Sequence, residues 1–269
     1  MKRLLLASFS AVVVCALVGA SDIGAQATGG RAAQPAASAT PQRNWFSVSI
    51  LTVKPERAAD FVELMKTQTI PMQQKGGVQF RGTWQSGAPF GDGFTYHVVT
   101  SMTKFAEYDQ PPLASRVLGD GARAYQDKLA SILVSRHTFA IQDRAELSLP
   151  PAANAKIVGA ILQDVTVVSG HAEQYEAYIK NDVMPVLKKA DMVGFVVLRT
   201  VFGGNANEYH VVTYLSSFAD IDKGPAQVRV LGQSGAAALA AKGAAHISNI
   251  ERTILRYVPD LSFQPKPTS

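Results

Sequence analysis

The sequence contains a single cysteine among 269 residues, Cys15, which lies in an apolar stretch near the N-terminus. No disulfide can form within the chain, and thiolate metal sites and cysteine nucleophiles are not expected. Charged residues are also scarce, at 17% of the composition, and Lys and Arg form no run despite a net charge of +5. The sequence therefore predicts no nucleic-acid partner.

Long hydrophobic runs are rare, and the longest is residues 4–18. Lys2 and Arg3 precede it, and Ala25-Gln26-Ala27 after it fits the A-x-A cleavage pattern of a signal peptide. A membrane span needs about 20 residues, so an uncleaved anchor is the less favoured alternative. We predict a signal peptide over 1–27, a periplasmic or secreted location, and no stable membrane span after cleavage.

Metal-ligand motifs are missing as well. The five histidines include no H-x-x-x-H pair, and His137, His171 and His246 have no partner at ligand spacing in the sequence. We predict no metal and no cofactor. Residues 28–43 are small, polar and proline-bearing, which is typical of a flexible linker.

The sequence repeats itself. Residues 96–105 read YHVVTSMTKF and residues 209–218 read YHVVTYLSSF, and 13 of 24 positions are identical between 96–119 and 209–232 without a gap. Upstream, Ile70-Pro71 matches Met184-Pro185. We predict a duplicated domain, with copy one over 44–148, a linker over 149–155, copy two over 156–262 and a tail over 263–269.

Each copy has the pattern of a ferredoxin-like unit. Apolar alternation and helical spacing predict the order β-α-β-β-α-β in both copies. The first strands are apolar on both faces, which indicates that both faces of each sheet are covered. The predicted fold class is α+β, with two tandem ferredoxin-like domains whose antiparallel sheets face each other as an intramolecular barrel.

The helix VKPERAADFVELM, the short strand GTW and the segment YHVVTSMTKFAEYDQ resemble the dimeric α/β-barrel superfamily, in particular NIPSNAP-like and antibiotic-biosynthesis-monooxygenase-like domains. In that superfamily two domains pair sheet against sheet, so the resemblance implies that a tandem copy builds the barrel internally. A shared fold does not carry a shared function.

The repeated strand supplies the first candidate site residues. His97 and His210 are one position out of phase with Tyr96 and Tyr209. If the tyrosines pack on the helices, both imidazoles point between the sheets, where a histidine can act as an acid or base. Buried histidines satisfied by hydrogen bonds are the structural alternative, and duplication alone explains their appearing twice.

Other candidates belong to a ligand site. Trp84 can stack on a flat ligand, and Arg81 and Arg199 lie on the second strands. The candidate ligand-binding residues are Trp84, Arg81, Arg199, Tyr96 and Tyr209, and the candidate catalytic residues are His97 and His210. Arg116 and Arg229 can clamp an anion, although a surface role is favoured for both.

Three functions stay open on this sequence. The first is an exported protein that binds a small, largely apolar ligand between its two sheets. The second is a cofactor-independent monooxygenase-like enzyme with His97 or His210 as proton carrier. The third is a protein-interaction module, which an exposed apolar patch would favour. A homo-oligomer is compatible with each of them.

Overall fold

A computed structural model describes residues 44–87, 90–102 and 104–264. The predicted signal peptide, the predicted linker over 28–43 and residues 265–269 of the predicted tail lie outside the described residues. Two matching halves follow one another along the chain. Within the described ranges, no helix is both long and apolar enough to cross a membrane.

The first half contains four strands and two helical layers. The strands are β1 (Trp45–Val53), β2 (Arg81–Ser86), β3 (Thr95–Met102) and β4 (Leu133–Asp143). Between β1 and β2 lie α1 (Ala58–Leu64) and α2 (Ile70–Lys75), and between β3 and β4 lie α3 (Leu113–Leu118) and α4 (Gly121–Ile132). This is the predicted order of elements.

The second half repeats that order. Its strands are β5 (Gly159–Val167), β6 (Gly194–Phe202), β7 (Glu208–Leu215) and β8 (Ile247–Tyr257). Helices α5 (Ala172–Tyr178) and α6 (Met184–Leu187) follow β5, and α7 (Ala226–Ala244) follows β7. The predicted element order is confirmed in this half as well.

Repeated prolines shape the first helical layer of each half. A π-helical turn, Met65–Thr69, joins α1 to α2, and another, Ile179–Val183, joins α5 to α6. Pro71 and Pro185 stand just after these turns. Proline has no backbone N–H to donate to the preceding turn, and a widened turn is one way in which a helix absorbs that loss.

The second helical layers differ from the single uninterrupted helices that the sequence predicted. Gly119 separates α3 from α4 with φ 55°, and Gly232 kinks α7 with φ 71°. Only glycine adopts such angles readily, and the two glycines are matched residues of the repeat. Pro112 and Pro225 occupy the N-cap positions of α3 and α7.

The eight strands form one closed antiparallel barrel in the order β1-β3-β2-β8-β5-β7-β6-β4. Two short seams join the halves. Trp84, Gln85 and Ser86 of β2 pair with β8, and residues 140–143 of β4 pair with β6. The barrel leaves no open sheet edge at these seams.

Side chains alternate between the barrel interior and the helices. Leu51, Tyr96 and Val98 pack with α1, α2 and α4 in one core cluster, and Val165, Tyr209 and Val211 pack with α5–α7 in another. A third cluster, around Val48, Phe139 and Ile141, consists of strand residues only and fills the interior. The predicted phase of β3 and β7 is therefore confirmed.

Each half also completes the core of the other. Leu147, just after β4, is buried in the helix-side core of the second half. Leu261, its match after β8, is buried in the helix-side core of the first half. The two halves consequently share their hydrophobic cores as well as their barrel.

Candidate functional site

A polar cluster lies inside the barrel around His210. Its ring Nδ1 is 2.6 Å from Oδ1 of Asp164, and its Nε2 is 2.8 Å from Oγ1 of Thr200. The three residues sit on neighbouring strands, since Asp164 of β5 and Leu198 of β6 are the register partners of His210 on β7. Phe139 of β4 stacks on the imidazole at 5.2 Å between ring centroids.

These contacts fix the roles that the groups can play. If Nδ1–H donates to Asp164, Nε2 of the neutral ring accepts the Thr200 hydroxyl hydrogen. A carboxylate that orients an imidazole in this way also stabilises the imidazolium formed when the ring takes up a proton. Asp164 retains 30% side-chain exposure whereas His210 retains 10%. The arrangement therefore orients a buried ring through a partly accessible carboxylate.

His97 faces the same interior, and no carboxylate or hydroxyl among the described residues bonds its ring as Asp164 and Thr200 bond that of His210. Its register neighbours are Ile50 and Trp84. Burial lowers the pKa of His97, the charge of Asp164 opposes this, and His210 adds to it. His97 therefore favours the neutral form and lies within electrostatic reach of both members of the His210 pair.

The two halves thus differ at one decisive position. Ile50 and Asp164 match each other in the repeat, and each is the register neighbour of the repeated histidine. The sequence prediction singled out the histidines but missed Asp164, Thr200 and Phe139. A comparison of β1 with β5, the strands that pair with the repeated segments 96–105 and 209–218, would have revealed Asp164, because this carboxylate stands where the first half has an apolar residue.

Trp84 also faces the interior, but away from the His210 cluster. Its ring centroid lies 4.9 Å from that of Tyr257 and 5.8 Å from that of Tyr214. Burial raises the pKa of Tyr214 to about 12. Trp84 therefore packs in an aromatic group at the seam between β2 and β8, beside His97.

The remaining candidates lie on the helix-facing side of the sheets. Arg81 is buried and donates to the Leu261 carbonyl at 2.9 Å and to Oε1 of Gln73 at 2.8 Å. Burial lowers the pKa of Arg81 to about 10. Tyr96 packs against Phe61, with 4.6 Å between ring centroids. The structure separates both side chains from His97 by the thickness of the sheet.

Tyr209 and Arg199 belong to a charged network beneath α5. The Tyr209 hydroxyl donates to Oε1 of Glu176 at 2.7 Å, and Arg199 lies over the Tyr209 ring at 5.4 Å. Arg144 forms ion pairs with Glu176 and Glu146. Burial raises the pKa of Tyr209 above its ordinary range, and the bond to Glu176 adds to this effect. The carboxylates balance the arginines, so the network has no free charge for an anion.

A cleft of about 640 Å³ opens between the sheet and helix α7 of the second half. Ile161 and Thr213 line it from the sheet, and Ala236 and Leu239 line it from α7. Polar groups stand among these apolar walls. They include Gln163, Asp191, Asp220, Lys223, Arg229 and Arg252. A volume of this size accommodates a small organic molecule.

The repeat explains why the cleft is in this half. In the first half Tyr125 fills the space beneath α4, and its hydroxyl lies 2.9 Å from that of Thr69. The matching residues of the second half are Leu239 and Val183, whose side chains have no hydroxyl groups to pair. Alanines surround Leu239 on α7. Smaller side chains on the helix thus leave room that the first half occupies with a tyrosine.

An exposed aromatic patch marks one end of the barrel. Phe105 is 5.0 Å from Trp45 and 5.3 Å from Phe202 between ring centroids. Phe202 is 58% exposed and Tyr108 is 67% exposed. In the second half, Phe218 instead lies over Gly159 and beneath Arg256, where a Cβ on Gly159 would come within 2.8 Å of the Phe218 ring. In the first half, Trp45 stands at the position that matches Gly159, and the aromatic side chains there are exposed.

Within the described ranges, no group of three His, Cys, Asp or Glu side chains converges in a way that could hold a metal ion.

Solved structures share this architecture. A candidate monooxygenase from Lactobacillus acidophilus superposes with a TM-score of 0.55 at 13% identity, over 83% of this chain and 97% of that one. An anthrone oxidase-like protein superposes with a TM-score of 0.58 at 10% identity, over 81% and 92% of the two chains. The chain has the dimeric α/β-barrel fold.

A chlorite dismutase from Candidatus Nitrospira defluvii has the same fold, with a TM-score of 0.52 at 9% identity over 81% of this chain and 92% of that one. At such identities the likeness concerns the fold alone. No protein-family model matches the sequence, and no curated protein sequence matches it. The finer likeness to NIPSNAP-like domains stays a prediction.

Proposed function

We propose that the second half of this protein binds a small, largely apolar molecule in the cleft beneath α7. The observation that carries the proposal is the cleft itself, which has mostly apolar walls and a few polar groups, as small-molecule sites commonly do. The barrel interior, where the sequence led us to expect the ligand, is narrowed by Phe139, Val48 and Ile141. The cleft therefore offers the better space.

The first test fills the cleft from α7. Ala236→Phe places a phenyl ring against Ile161 and Thr213, whereas Ala238→Phe places the same ring on the exposed side of the helix. We expect Ala236→Phe to weaken binding of an apolar fluorescent probe such as anilinonaphthalene sulfonate by about tenfold, a loss of about 1.4 kcal/mol. Ala238→Phe is expected to bind as the wild type does. Equal binding by all three proteins, titrated by fluorescence, would reject the cleft as the site.

We further propose, as a second candidate, an oxygenase-like activity that uses the His210 cluster. The support is the Asp164–His210–Thr200 arrangement in one half only, together with structural neighbours described as candidate monooxygenases and as anthrone oxidase-like. In such a reaction the substrate displaces the Thr200 hydroxyl from Nε2, the imidazole takes a proton from an activated C–H bond there, and the resulting carbanion passes its electrons to O₂. For anthrone the balanced outcome is one anthraquinone and one water for each O₂ consumed.

Oxygen uptake with anthrone separates the two proposals. His210→Gln and Asp164→Asn are expected to lower the rate by about 100-fold or more if the imidazole is the base. His97→Gln is the matched control, because it changes the repeated histidine that lacks a carboxylate. A rate that falls with Ala236→Phe but not with His210→Gln would place the substrate in the cleft. No uptake above that of the buffer would remove the oxygenase proposal and leave the binding proposal standing.

The eight strands of this single chain form a barrel of the kind that two chains form in a dimeric α/β barrel. We infer that a duplicated ferredoxin-like unit supplies both sheets, which the repeated sequence and the matching element order support. Export rests on the basic start, the apolar residues 4–18 and the A-x-A pattern at 25–27, and the mass of the mature protein tests it. The exposed aromatic patch supports a protein partner or a homo-oligomer, both of which stay predictions.

A further inference from the structure

Two histidines that are distant in sequence meet in the second half. Nδ1 of His171 and Nδ1 of His246 are 3.3 Å apart, and their ring centroids are 5.4 Å apart with an interplanar angle of 62°. Both residues are partly buried, so part of each ring stays accessible to solvent. The sequence spacing gave no sign of this pair.

The backbone around both residues is tied together. The Val168 N–H donates to the His246 carbonyl at 2.9 Å, and the His171 N–H donates to the Val168 carbonyl at 2.9 Å. Gly170, between them, has φ 84° and turns the chain from β5 into α5. The separation of the two rings is therefore set by the end of one strand and the beginning of another rather than by a free loop.

The separation suits a shared metal ion. Zinc binds histidine nitrogens at about 2.0–2.1 Å in tetrahedral geometry, so two nitrogens on one ion lie about 3.3–3.4 Å apart. Two neutral rings at that distance can share a single hydrogen bond, or both can turn a lone pair toward one cation. No third His, Cys, Asp or Glu among the described residues joins them. The other coordination positions fall to water.

The first half provides a contrast at the same place. The Lys54 N–H donates to the Ile132 carbonyl at 3.0 Å, which repeats the bond between Val168 and His246. The residues that match His171 and His246 are Arg57 and Ile132, and Arg57 pairs with Asp60. One scaffold thus carries two imidazoles in one half and none in the other.

We propose that His171 and His246 form a two-histidine site for a tetrahedral divalent transition metal of the zinc class, completed by water. The site is independent of the proposed function, because the two histidines line neither the cleft nor the His210 cluster. Among common divalent ions, those that accept imidazole nitrogen are the ones that fit, whereas Mg²⁺ and Ca²⁺ require oxygen ligands.

Titration of the full, tag-free chain with Zn²⁺ tests the proposal, with Co²⁺ as a second probe whose visible spectrum reports tetrahedral geometry. We expect one Zn²⁺ per chain and an affinity that falls roughly tenfold or more in His171→Ala and in His246→Ala. His137→Ala, which removes an exposed histidine of β4, is the control and is expected to bind as the wild type does.

The folded state of each variant is checked by circular dichroism without metal, and Zn²⁺ is expected to raise the Tm of the wild type more than that of either variant. Equal Zn²⁺ affinity in the wild type and in a His171→Ala/His246→Ala double variant would overturn the proposal and leave the pair as a hydrogen bond. Wild-type Zn²⁺ affinity in either single variant would likewise overturn it.

Discussion

At the scale of single residues, the same histidine has different neighbours in the two halves. His210 is held between Asp164 and Thr200, whereas His97 lies between Ile50 and Trp84. The repeated segment therefore forms the same strand in both halves, but its histidine has different partners in each. A carboxylate next to an imidazole is what makes the ring a defined proton acceptor.

His97 makes stability depend on pH. Its pKa is lowered in the folded state by burial, so the unfolded chain binds more protons below the ordinary histidine pKa of 6.5. The free energy of unfolding contributed by this residue is therefore intact above that pH and decreases as the pH falls below it. We expect His97→Gln to show a smaller loss of stability between about pH 7 and pH 5 than the wild type.

Urea unfolding at both pH values measures this difference. His137→Gln, which changes an exposed histidine, is expected to follow the wild type. An unchanged pH dependence in His97→Gln would show that His97 is not the group responsible.

At the scale of elements, the hairpin between β2 and β3 is organised by Asp92. Its Oδ1 accepts from the Ser86 hydroxyl at 2.6 Å and from the Phe94 and Thr95 N–H groups at 2.8 Å, and its Oδ2 accepts from the Thr95 hydroxyl at 2.6 Å. Asp92 is largely exposed, and the slight desolvation of its carboxyl acts to raise the pKa, but these hydrogen bonds outweigh that effect and lower the pKa to about 2.

Removing that carboxylate should loosen the hairpin. We expect Asp92→Ala to lower the free energy of unfolding by about 1 kcal/mol, a modest value because Asp92 is exposed to solvent. Because the pKa of Asp92 is lowered in the folded state, its contribution to the free energy of unfolding is present above the unfolded pKa of 3.8. That contribution is lost as the pH falls toward 2.

Denaturant unfolding at pH 7 and pH 3 tests both statements. Asp109→Ala, at an exposed aspartate in another turn, is the matched control. If Asp92→Ala and Asp109→Ala lower the free energy of unfolding equally at pH 7, the hydrogen bonds of Asp92 do not stabilise the hairpin.

At the scale of the whole molecule, the halves depend on one another. They share the two barrel seams, the interior cluster around Phe139, and the exchanged leucines Leu147 and Leu261. A half on its own would expose an apolar sheet face and unpaired strand edges, which proteins avoid.

Residues 44–148 expressed alone are therefore expected not to persist as a folded monomer. Light scattering after size exclusion should show a dimer or larger species, or circular dichroism should show loss of structure. The full chain over 44–269 serves as the reference. A stable folded monomer of 44–148 would mean that the shared core is not required by either half.

Much of the fold could be read from the sequence, because its signals are local and are given twice. The order of elements was predicted as the structure has it, and the period-two pattern of β3 correctly placed His97 and Tyr96 on opposite faces. The breaks at Gly119 and Gly232 were missed, since a glycine within a helical pattern is compatible with either continuation or a kink.

The candidate sites depended on contacts between strands and helices far apart in the chain. Asp164 meets His210 across 46 residues, and His171 meets His246 across 75. The sequence by itself determined the internal repeat, the order of elements and the two faces of each strand, because repeat identity and side-chain alternation are properties of the chain read in order. Only the tertiary structure decided which histidine has a carboxylate, which half has a cleft and which imidazoles meet, because strand register and the packing of α7 bring together residues that no local pattern links.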